Sequence, residues 1–436
     1  MPSEYRMLFG RKALAAGSVV ALASVAALLG QALRQGEAEE YTRYQLLAPE
    51  TAQFRIVYEV TATTPGAKFY FNPIRKGSVA TDEAVYDQMT GQPLKFEVVS
   101  GAEARTSGMA NADPDTSYIR VHLPRMVPER GEVRLRIDKT YKDPKSYYRE
   151  GDLIVFARSL GIKKNAVVLP PGYELVSCNV PSQVLSEPDG RIKISFINTA
   201  PDAAPLVVKA RATEKGIGRD SRGTETQRRA DTPADAVMAP AAAQDEGSRL
   251  SERAHQNRDI VYFLQAPETH AFSLYHDYTE RGEGTDKYLN VVRQGSTVSN
   301  PSALLLDTGE PLKTETLKGE QITRAGLDIG EKVRPDSEVV VVWFPPVKKG
   351  QSIRLRIEET YTDPGRYRLE GEELVFDRAF GRPFDAVVLP AGWLLTASSI
   401  PGVVSQMPDG RIRLDFVNPR PDDIAVLIKA KRGPRQ

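Results

Sequence analysis

Four residues in the second half of the sequence carry side chains suited to ligand binding: His270, His276, Asp277 and Trp393. Histidine changes charge near neutral pH and is a common metal ligand. The two histidines are six residues apart, so on an extended strand they share a face but lie about 20 Å from each other. One metal ion cannot contact both, and we predict neither a metal site nor a catalytic residue.

The motifs of common enzyme classes are missing from the sequence. It contains no His-Glu-x-x-His, no Gly-x-Ser-x-Gly, no phosphate-binding Walker loop and no Cys-x-x-Cys. Cys178 is the single cysteine, which excludes an intramolecular disulfide and a multi-cysteine metal site. No cofactor is predicted.

Composition indicates a globular protein without a general affinity for nucleic acid. The 436 residues are 41% hydrophobic and 26% charged, with a formal net charge of +1. Such a chain can bury sizeable cores, and its length suits two to four domains. Because positive charge is not in excess, there is no overall field to hold a phosphate backbone.

The N-terminal residues have the pattern of an export signal. Basic residues at Arg11 and Lys12 precede the uncharged stretch 13–33, and acidic residues follow from Glu37. The stretch is close to the length of a membrane span, so a cleaved signal peptide and an uncleaved inner-membrane anchor both stay open. Either outcome predicts that the rest of the chain is exported, to the periplasm or the extracellular space.

The chain contains an internal repeat. Residues 140–210 and 360–430 are identical at 31 of 71 positions, and LLAPETAQF from Leu46 matches LQAPETHAF from Leu264. Between the repeats, residues 214–258 contain no aromatic residue and no hydrophobic period, which is typical of a flexible linker. The predicted organisation is a signal peptide or anchor over 1–40, β-sandwich domains over 41–213 and 259–436, and the linker over 214–258.

Each repeat is predicted to be an antiparallel β-sandwich. Segments such as Phe54–Val60 and Glu132–Ile137 alternate apolar and polar residues, and Ala166–Leu169 and Val339–Phe344 are β-branched runs suited to buried strands. Turn sequences recur at short intervals, and no long stretch keeps a helical period. The predicted fold class is therefore all-β, with two homologous sandwich domains in tandem and an N-terminal hydrophobic helix.

Two polar motifs recur in both repeats. Asp143-Pro144 and Asp363-Pro364 are predicted turns in which the carboxylate caps nearby amides. Arg158 and Arg378 end Val-Phe-x-Arg segments, and we expect them to form ion pairs within each repeat rather than to bind a ligand.

Residues that differ between the repeats are the better functional candidates, because folding does not require them twice. His270, His276 and Asp277 replace Ala52, Tyr58 and Glu59, and Trp393 replaces Tyr173. Trp393 follows a turn, so its indole is either part of the core or a surface for a sugar ring or a partner.

The strand leading into Ala-Pro-Glu-Thr, followed by a strand pair and Thr-Gly-x-Pro-Leu, resembles exported bacterial β-proteins of unassigned function. The strand spacing is also similar to that of the non-catalytic β-domain of secreted metallo-aminopeptidases. This resemblance implies a β-sandwich fold. Because the zinc-binding helix is missing, it implies no peptidase residue and no peptidase activity.

Duplication without a catalytic motif favours a non-enzymatic envelope protein that binds or scaffolds a protein or glycan of the cell envelope through two modules. The alternative is a hydrolase of peptides or glycans with a site in the cleft between the domains, using His270, His276, Asp277 and Trp393. The alternatives differ in whether those four side chains converge in one cleft. Membrane contact is predicted through residues 13–33 if that segment is not cleaved.

Overall fold

The computed structural model describes residues 35, 37–200, 202–213, 251–256 and 258–433. This part of the chain is almost entirely β-structure, which confirms the predicted all-β class. The predicted helix over 13–33 lies outside the described residues. Among the described residues, no helix has both the length and the apolar composition that a membrane span needs.

Among the described residues, fourteen strands form in each repeat, in the same order. Those of the first are β1 (Glu37–Leu46), β2 (Gln53–Ala62), β3 (Phe69–Pro73), β4 (Val79–Asp87), β5 (Phe96–Ser100), β6 (Ser117–His122), β7 (Val133–Lys142), β8 (Tyr147–Glu150), β9 (Leu153–Leu160), β10 (Lys164–Val168), β11 (Tyr173–Cys178), β12 (Gln183–Ser186), β13 (Ile192–Ile197) and β14 (Ala204–Ala212). A short helix α1, Gly101–Thr106, follows β5.

The second repeat has the same elements. Its strands are β15 (Arg258–Leu264), β16 (Ala271–Glu280), β17 (Lys287–Val291), β18 (Thr297–Leu305), β19 (Glu310–Lys318), β20 (Glu338–Trp343), β21 (Ile353–Thr362), β22 (Tyr367–Glu370), β23 (Glu373–Phe380), β24 (Phe384–Val388), β25 (Trp393–Ser398), β26 (Val403–Gln406), β27 (Ile412–Val417) and β28 (Ile424–Arg432). Helix α2, Glu320–Arg324, corresponds to α1.

Three sheets build the first repeat. The large sheet has the order β12-β13-β10-β1-β2-β7-β4, a second sheet has the order β11-β14-β9-β8, and a third has the order β3-β6-β5. The second repeat has the corresponding order, with its three-stranded part joined to the large sheet by pairing of β18 with β19. In the first repeat this junction is a single bridge between Tyr86 and Pro93.

One strand pair in each repeat is parallel. β1 pairs with β10, and β15 pairs with β24 in the same way, while the neighbouring pairs are antiparallel. A hydrophobic period reports which face of a strand is buried but not the direction of its neighbour. The sequence therefore predicts the strands themselves but not this parallel pairing.

Apolar side chains from all three sheets form the core of the first repeat. Phe54, Ile137 and Phe156 are among its buried members, and the β-branched residues Val167 and Val168 are fully buried, as the sequence predicts. Separate clusters fill the second repeat. No apolar core cluster of the described residues combines side chains of both repeats.

The repeats meet through a reciprocal pair of contacts. The backbone N–H of Glu132, just before β7, donates to the carbonyl of Leu306 at 2.8 Å, and the N–H of Ser352, just before β21, donates to that of Met89 at 3.2 Å. In each repeat, the start of one strand thus contacts a turn of the other repeat. This is the pattern of an isologous contact.

A buried ion pair lies in this contact. The guanidinium of Arg134 donates to both carboxylate oxygens of Asp307, at 2.7 and 3.0 Å, and also to the hydroxyl and the carbonyl oxygen of Ser352. Arg134 is 2% exposed and Asp307 is fully buried. Alternation along β7 explains the position, because Val133 and Leu135 face the core and Arg134 faces the other repeat.

The end of the predicted linker is described and lies on the first repeat. Glu252 accepts hydrogen bonds from Tyr41 and Ser195 and forms an ion pair with Lys193 at 2.8 Å. The neighbouring Arg253 contacts the second repeat, where it donates to the carbonyl oxygens of Asn418 and Gly381. Residues 251–256 therefore connect the two repeats by polar contacts.

Candidate functional site

A cavity of about 350 Å³ opens on the first repeat where the loop before β4 meets the turn after β7. Strands β9 and β14 supply its other side. Its lining combines four cations with one carboxylate: Arg75, Lys76, Gly77, Asp143, Lys145, Ser146, Ala157, Arg158, Ser159, Pro205, Leu206 and Val207.

Asp143 organises the turn at the edge of this cavity. Its carboxylate accepts hydrogen bonds from the backbone N–H groups of Lys145 and Ser146 and from the Ser146 hydroxyl, at 2.7 to 3.2 Å. Burial raises the pKa of Asp143, but these hydrogen bonds and the Arg158 charge outweigh it, so the pKa lies below the usual range. The capping turn predicted at Asp143-Pro144 is present.

Arg158 lies between this carboxylate and a set of aromatic rings. Its Nη1 is 3.2 Å from Asp143 Oδ2, and its side chain is 7% exposed. The guanidinium lies 5.5 to 5.9 Å from the ring centres of Tyr44, Phe54 and Tyr141, distances at which cation–π attraction acts. Burial lowers the pKa of Arg158. The predicted ion pair is therefore observed, and it belongs to the wall of a cavity.

A further cation, Lys139, is buried and shares the Tyr141 ring with Arg158. It lies on β7 between core residues, is 5% exposed, and donates from Nζ to Asn72 Oδ1 at 2.5 Å. Its Nζ is 5.1 Å from the ring centre of Tyr141. Burial, together with the charge of Arg158, lowers the pKa of Lys139 to about 8. An ammonium with a neutral amide as its partner is costly to bury.

The second repeat contains the same arrangement with different charges. Arg378 lies 5.2 to 5.8 Å from the ring centres of Tyr262, Phe272 and Tyr361, and its Nη1 is 3.9 Å from Asp363 Oδ2. That nitrogen has no hydrogen-bond partner among the described residues.

Several neighbours of this arrangement differ between the repeats. Gln294 replaces Lys76, Gly365 replaces Lys145, Arg366 replaces Ser146, Asp377 replaces Ala157 and Glu359 replaces Lys139.

Glu359 is the charge-inverted counterpart of Lys139. Asn290, the counterpart of Asn72, donates to Glu359 Oε2 at 2.6 Å and to the Tyr361 hydroxyl at 3.0 Å. Burial raises the pKa of Glu359. The same asparagine thus accepts from a cation in one repeat and donates to a carboxyl group in the other.

The structure places the four candidate residues of the sequence apart from this cavity. His270 has φ 54 and donates from Nδ1 to the carbonyl of Tyr367 at 2.9 Å. Asp277 forms a bidentate pair with Arg356, with both distances 2.8 Å.

The other two candidates lie in cores. His276 packs against the rings of Tyr278 and Tyr288. Trp393 is 4% exposed within an apolar cluster, so of its two alternatives core packing is observed.

Within the described residues, His270 bonds to the Tyr367 carbonyl, Asp277 pairs with Arg356 and His276 packs against Tyr278, so these contacts join no two of the four. The same part of the chain holds no group of three or more His, Cys, Asp or Glu side chains that could bind a metal ion. A ligand role for the four residues stays a prediction. The cavity cations Arg75, Lys76 and Lys145 were missed, although the Arg-x-Gly-Ser sequence at Arg75 recurs at Arg293.

His276 is expected to stay neutral well below pH 6. Burial, together with the charges of Arg382, Arg258 and Arg354, lowers its pKa to about 3. Acidification then protonates the unfolded state first, so it disfavours the folded state. Ring NMR signals recorded from pH 8 to pH 5 should not move for His276, with His276→Tyr identifying them, since tyrosine occupies this position in the first repeat. Titration of these signals near the ordinary histidine range would contradict the buried, neutral assignment.

No protein-family model and no curated protein matches this sequence. Among solved structures, the chain is similar to an M1 zinc metallopeptidase from Deinococcus radiodurans, at 11% identity and a TM-score of 0.27, covering 39% of this chain and 41% of that one. An aminopeptidase N family protein from Idiomarina loihiensis is similar at 10% identity and a TM-score of 0.26, covering 40% and 29%.

The chain therefore spans less than half of the length of these proteins. They belong to the metallopeptidase group that the strand spacing resembles. At these TM-scores the likeness assigns no residue and no activity.

Proposed function

We propose that the protein is an exported, non-enzymatic envelope protein that binds or scaffolds an anionic component through its two repeats. The observation that carries this proposal is the cationic cavity around Arg158; in the second repeat, Arg378 lies among corresponding aromatic rings. Four cations face one carboxylate there, although the net charge of the whole chain is only +1. Such local concentration of charge attracts anions in a way that the overall charge does not.

Two further features support binding over hydrolysis. The contact between the repeats includes a buried ion pair, Arg134 with Asp307, so the surface that the hydrolase alternative requires is occupied there by structural contacts. Of the residues that this alternative would use, His276 and Trp393 are buried, and His270 and Asp277 contact Tyr367 and Arg356. Two modules held in one relative position suit bivalent contact with a repeating polymer.

Retention on charged matrices tests this proposal. The full chain should be retained on a matrix carrying polyphosphate or polyuronate and should pass through neutral dextran. A double variant, Arg75→Gln with Arg293→Gln, should elute at lower salt, because each exposed arginine contributes a screened ionic contact.

A matched control removes the same charge elsewhere. Lys313→Gln with Arg324→Gln changes two cations whose side chains are 73% and 76% exposed, away from both arginine clusters. Its elution should stay close to that of the unmodified chain. Equal shifts for both double variants, or release of product from peptide or glycan substrates by the purified chain, would contradict the proposal.

A further inference from the structure

The two repeats share an arginine held by aromatic rings but surround it with different charge. In the first repeat the lining has Arg75, Lys76, Lys145 and Arg158 against Asp143, and Lys139 is buried beside Tyr141. In the second, the corresponding positions carry three arginines and three carboxyl groups: Arg293, Arg366, Arg378, Asp363, Asp377 and Glu359. The first set is strongly positive, and the second is nearly balanced.

We propose that the first-repeat cavity is a binding site for a phosphate-bearing group, and that its counterpart in the second repeat does not share this preference. This inference rests on the proposed function and names the ligand class of one of its sites. It predicts one phosphate site per chain, although the repeats are homologous.

A dianion suits the first cavity better than a carboxylate does. Phosphate monoesters carry about −1.5 to −2 charge near pH 7 and offer three acceptor oxygens. Asp143 neutralises only one of the four lining cations, and its oxygens are already engaged by Ser146 and the turn amides. Lys76 forms an ion pair with Asp113 at 3.1 Å, with side chains 58% and 49% exposed. Such exposed pairs are weak, so Lys76 can turn to a ligand at little cost.

The buried Arg158 and the exposed Lys76 and Lys145 have different roles in this site. Arg158 is immobilised by the three rings and by Asp143, so it loses little side-chain freedom when a ligand arrives. Lys76 and Lys145 are exposed and act as point charges at the mouth. Ser146 and Ser159 add hydroxyl groups to the lining. The cavity volume is at the lower end of small-ligand sites, which suits a phosphate on a small carrier.

The buried charge at position 139, next to Tyr141, distinguishes the repeats independently of the lining. Lys139 contributes a cation beneath Tyr141, whereas Glu359 places a carboxyl group at the equivalent position. Replacing a cation by a carboxyl group at a buried position changes the local potential strongly, because screening is weak there.

Calorimetric titration of the full chain tests this inference. Glucose 6-phosphate is the probe, and glucose and acetate are the comparison ligands. The unmodified chain should bind one equivalent of glucose 6-phosphate and should bind the other two much more weakly. The double variant Lys76→Gln with Lys145→Gly gives the first cavity the residues of the second repeat. It should weaken binding on the order of tenfold or more, since two charge-assisted contacts are lost.

The matched control is Arg293→Gln with Arg366→Gln, which removes two cations from the second repeat. Phosphate binding should keep its affinity and its stoichiometry of one. Two equivalents in the unmodified chain, or equal losses in both double variants, would overturn the inference while leaving anion binding in place. Absence of phosphate binding together with normal retention on polyuronate overturns only the inference, and loss of both overturns the proposed function as well.

A vesicle-binding experiment distinguishes a lipid phosphate from a soluble or glycan-borne phosphate. Vesicles containing phosphatidic acid are sedimented with the chain and compared with vesicles of phosphatidylcholine alone. Binding to the first vesicles, lost in Lys76→Gln with Lys145→Gly, identifies a lipid headgroup as a source. Binding to glucose 6-phosphate without vesicle binding identifies a soluble or glycan-borne phosphate.

Discussion

Replacing Asp307 with alanine is expected to lower the free energy of unfolding by about 3–5 kcal/mol, because it leaves the buried Arg134 without its counter-charge. Both groups are almost completely buried, and the guanidinium makes two of its hydrogen bonds to this carboxylate. Asp307 also accepts from the backbone N–H of Arg354 at 2.8 Å. Urea unfolding followed by far-UV circular dichroism measures the change.

An exposed ion pair provides the control for this prediction. Asp415 pairs with Arg413 at 2.6 Å, with side chains 42% and 30% exposed, and Asp415→Ala should cost less than about 1 kcal/mol. The double variant Arg134→Met with Asp307→Leu should recover much of the loss, since removing both partners leaves no unpaired charge. If Asp307→Ala behaved like Asp415→Ala, the buried pair would not hold the repeats together.

Replacing Lys139 with methionine is expected to make the protein more stable by roughly 1–3 kcal/mol at pH 7 while weakening phosphate binding. Methionine has a similar shape and carries no charge that must be taken out of water. The loss of a hydrogen bond to Asn72 opposes this gain but is smaller than the cost of a buried ammonium. A stabilising substitution that impairs binding is the pattern expected of a residue retained for function.

The pH dependence supplies a second readout for Lys139. Its pKa in the folded state is lowered to about 8 from the ordinary lysine value of 10.5, so the folded state binds this proton less tightly than the unfolded state does. Stability of the unmodified protein should therefore rise with pH across that interval relative to Lys139→Met. The advantage of the methionine variant should shrink accordingly in urea unfolding at about pH 9.5.

Lys142, which is exposed and lies three residues further along β7, serves as the control. Lys142→Met should change stability by no more than about 0.5 kcal/mol at either pH, as is usual for surface positions. A Lys139→Met variant that is less stable than the unmodified protein at pH 7 would show that the lysine is structural.

Sequence effects that act within a few residues predicted the turn at the edge of the cavity. Asp143-Pro144 is a turn because proline restricts φ and the aspartate side chain caps the following amides, and both effects act within a few residues. An ion pair of Arg158 within the repeat was also expected, but the sequence did not indicate that Asp143 is its partner. The cavity itself was not predicted, because Arg75 and Arg158 are distant in sequence and meet only when β4, β7 and β9 assemble.

For the candidate residues, the sequence predicts which face of a strand a side chain is on but not what it contacts there. His276 and Asp277 are adjacent and point to opposite faces of β16, as alternation requires. Alternation does not tell which face another sheet covers. His276 meets Tyr288 of β17, and Asp277 meets Arg356 of β21, so their surroundings depend on strand pairing.

Residue types and spacing were enough to establish an internal repeat and an all-β architecture with turns at the Asp-Pro sequences. These features follow from backbone geometry and from the burial of apolar side chains, and both act over short distances. The parallel pairs, the contact between Arg134 and Asp307, and the opposite charges of Lys139 and Glu359 at equivalent buried positions became apparent only in the folded chain. Each depends on strands far apart in sequence coming together, where a buried charge is governed by its spatial neighbours.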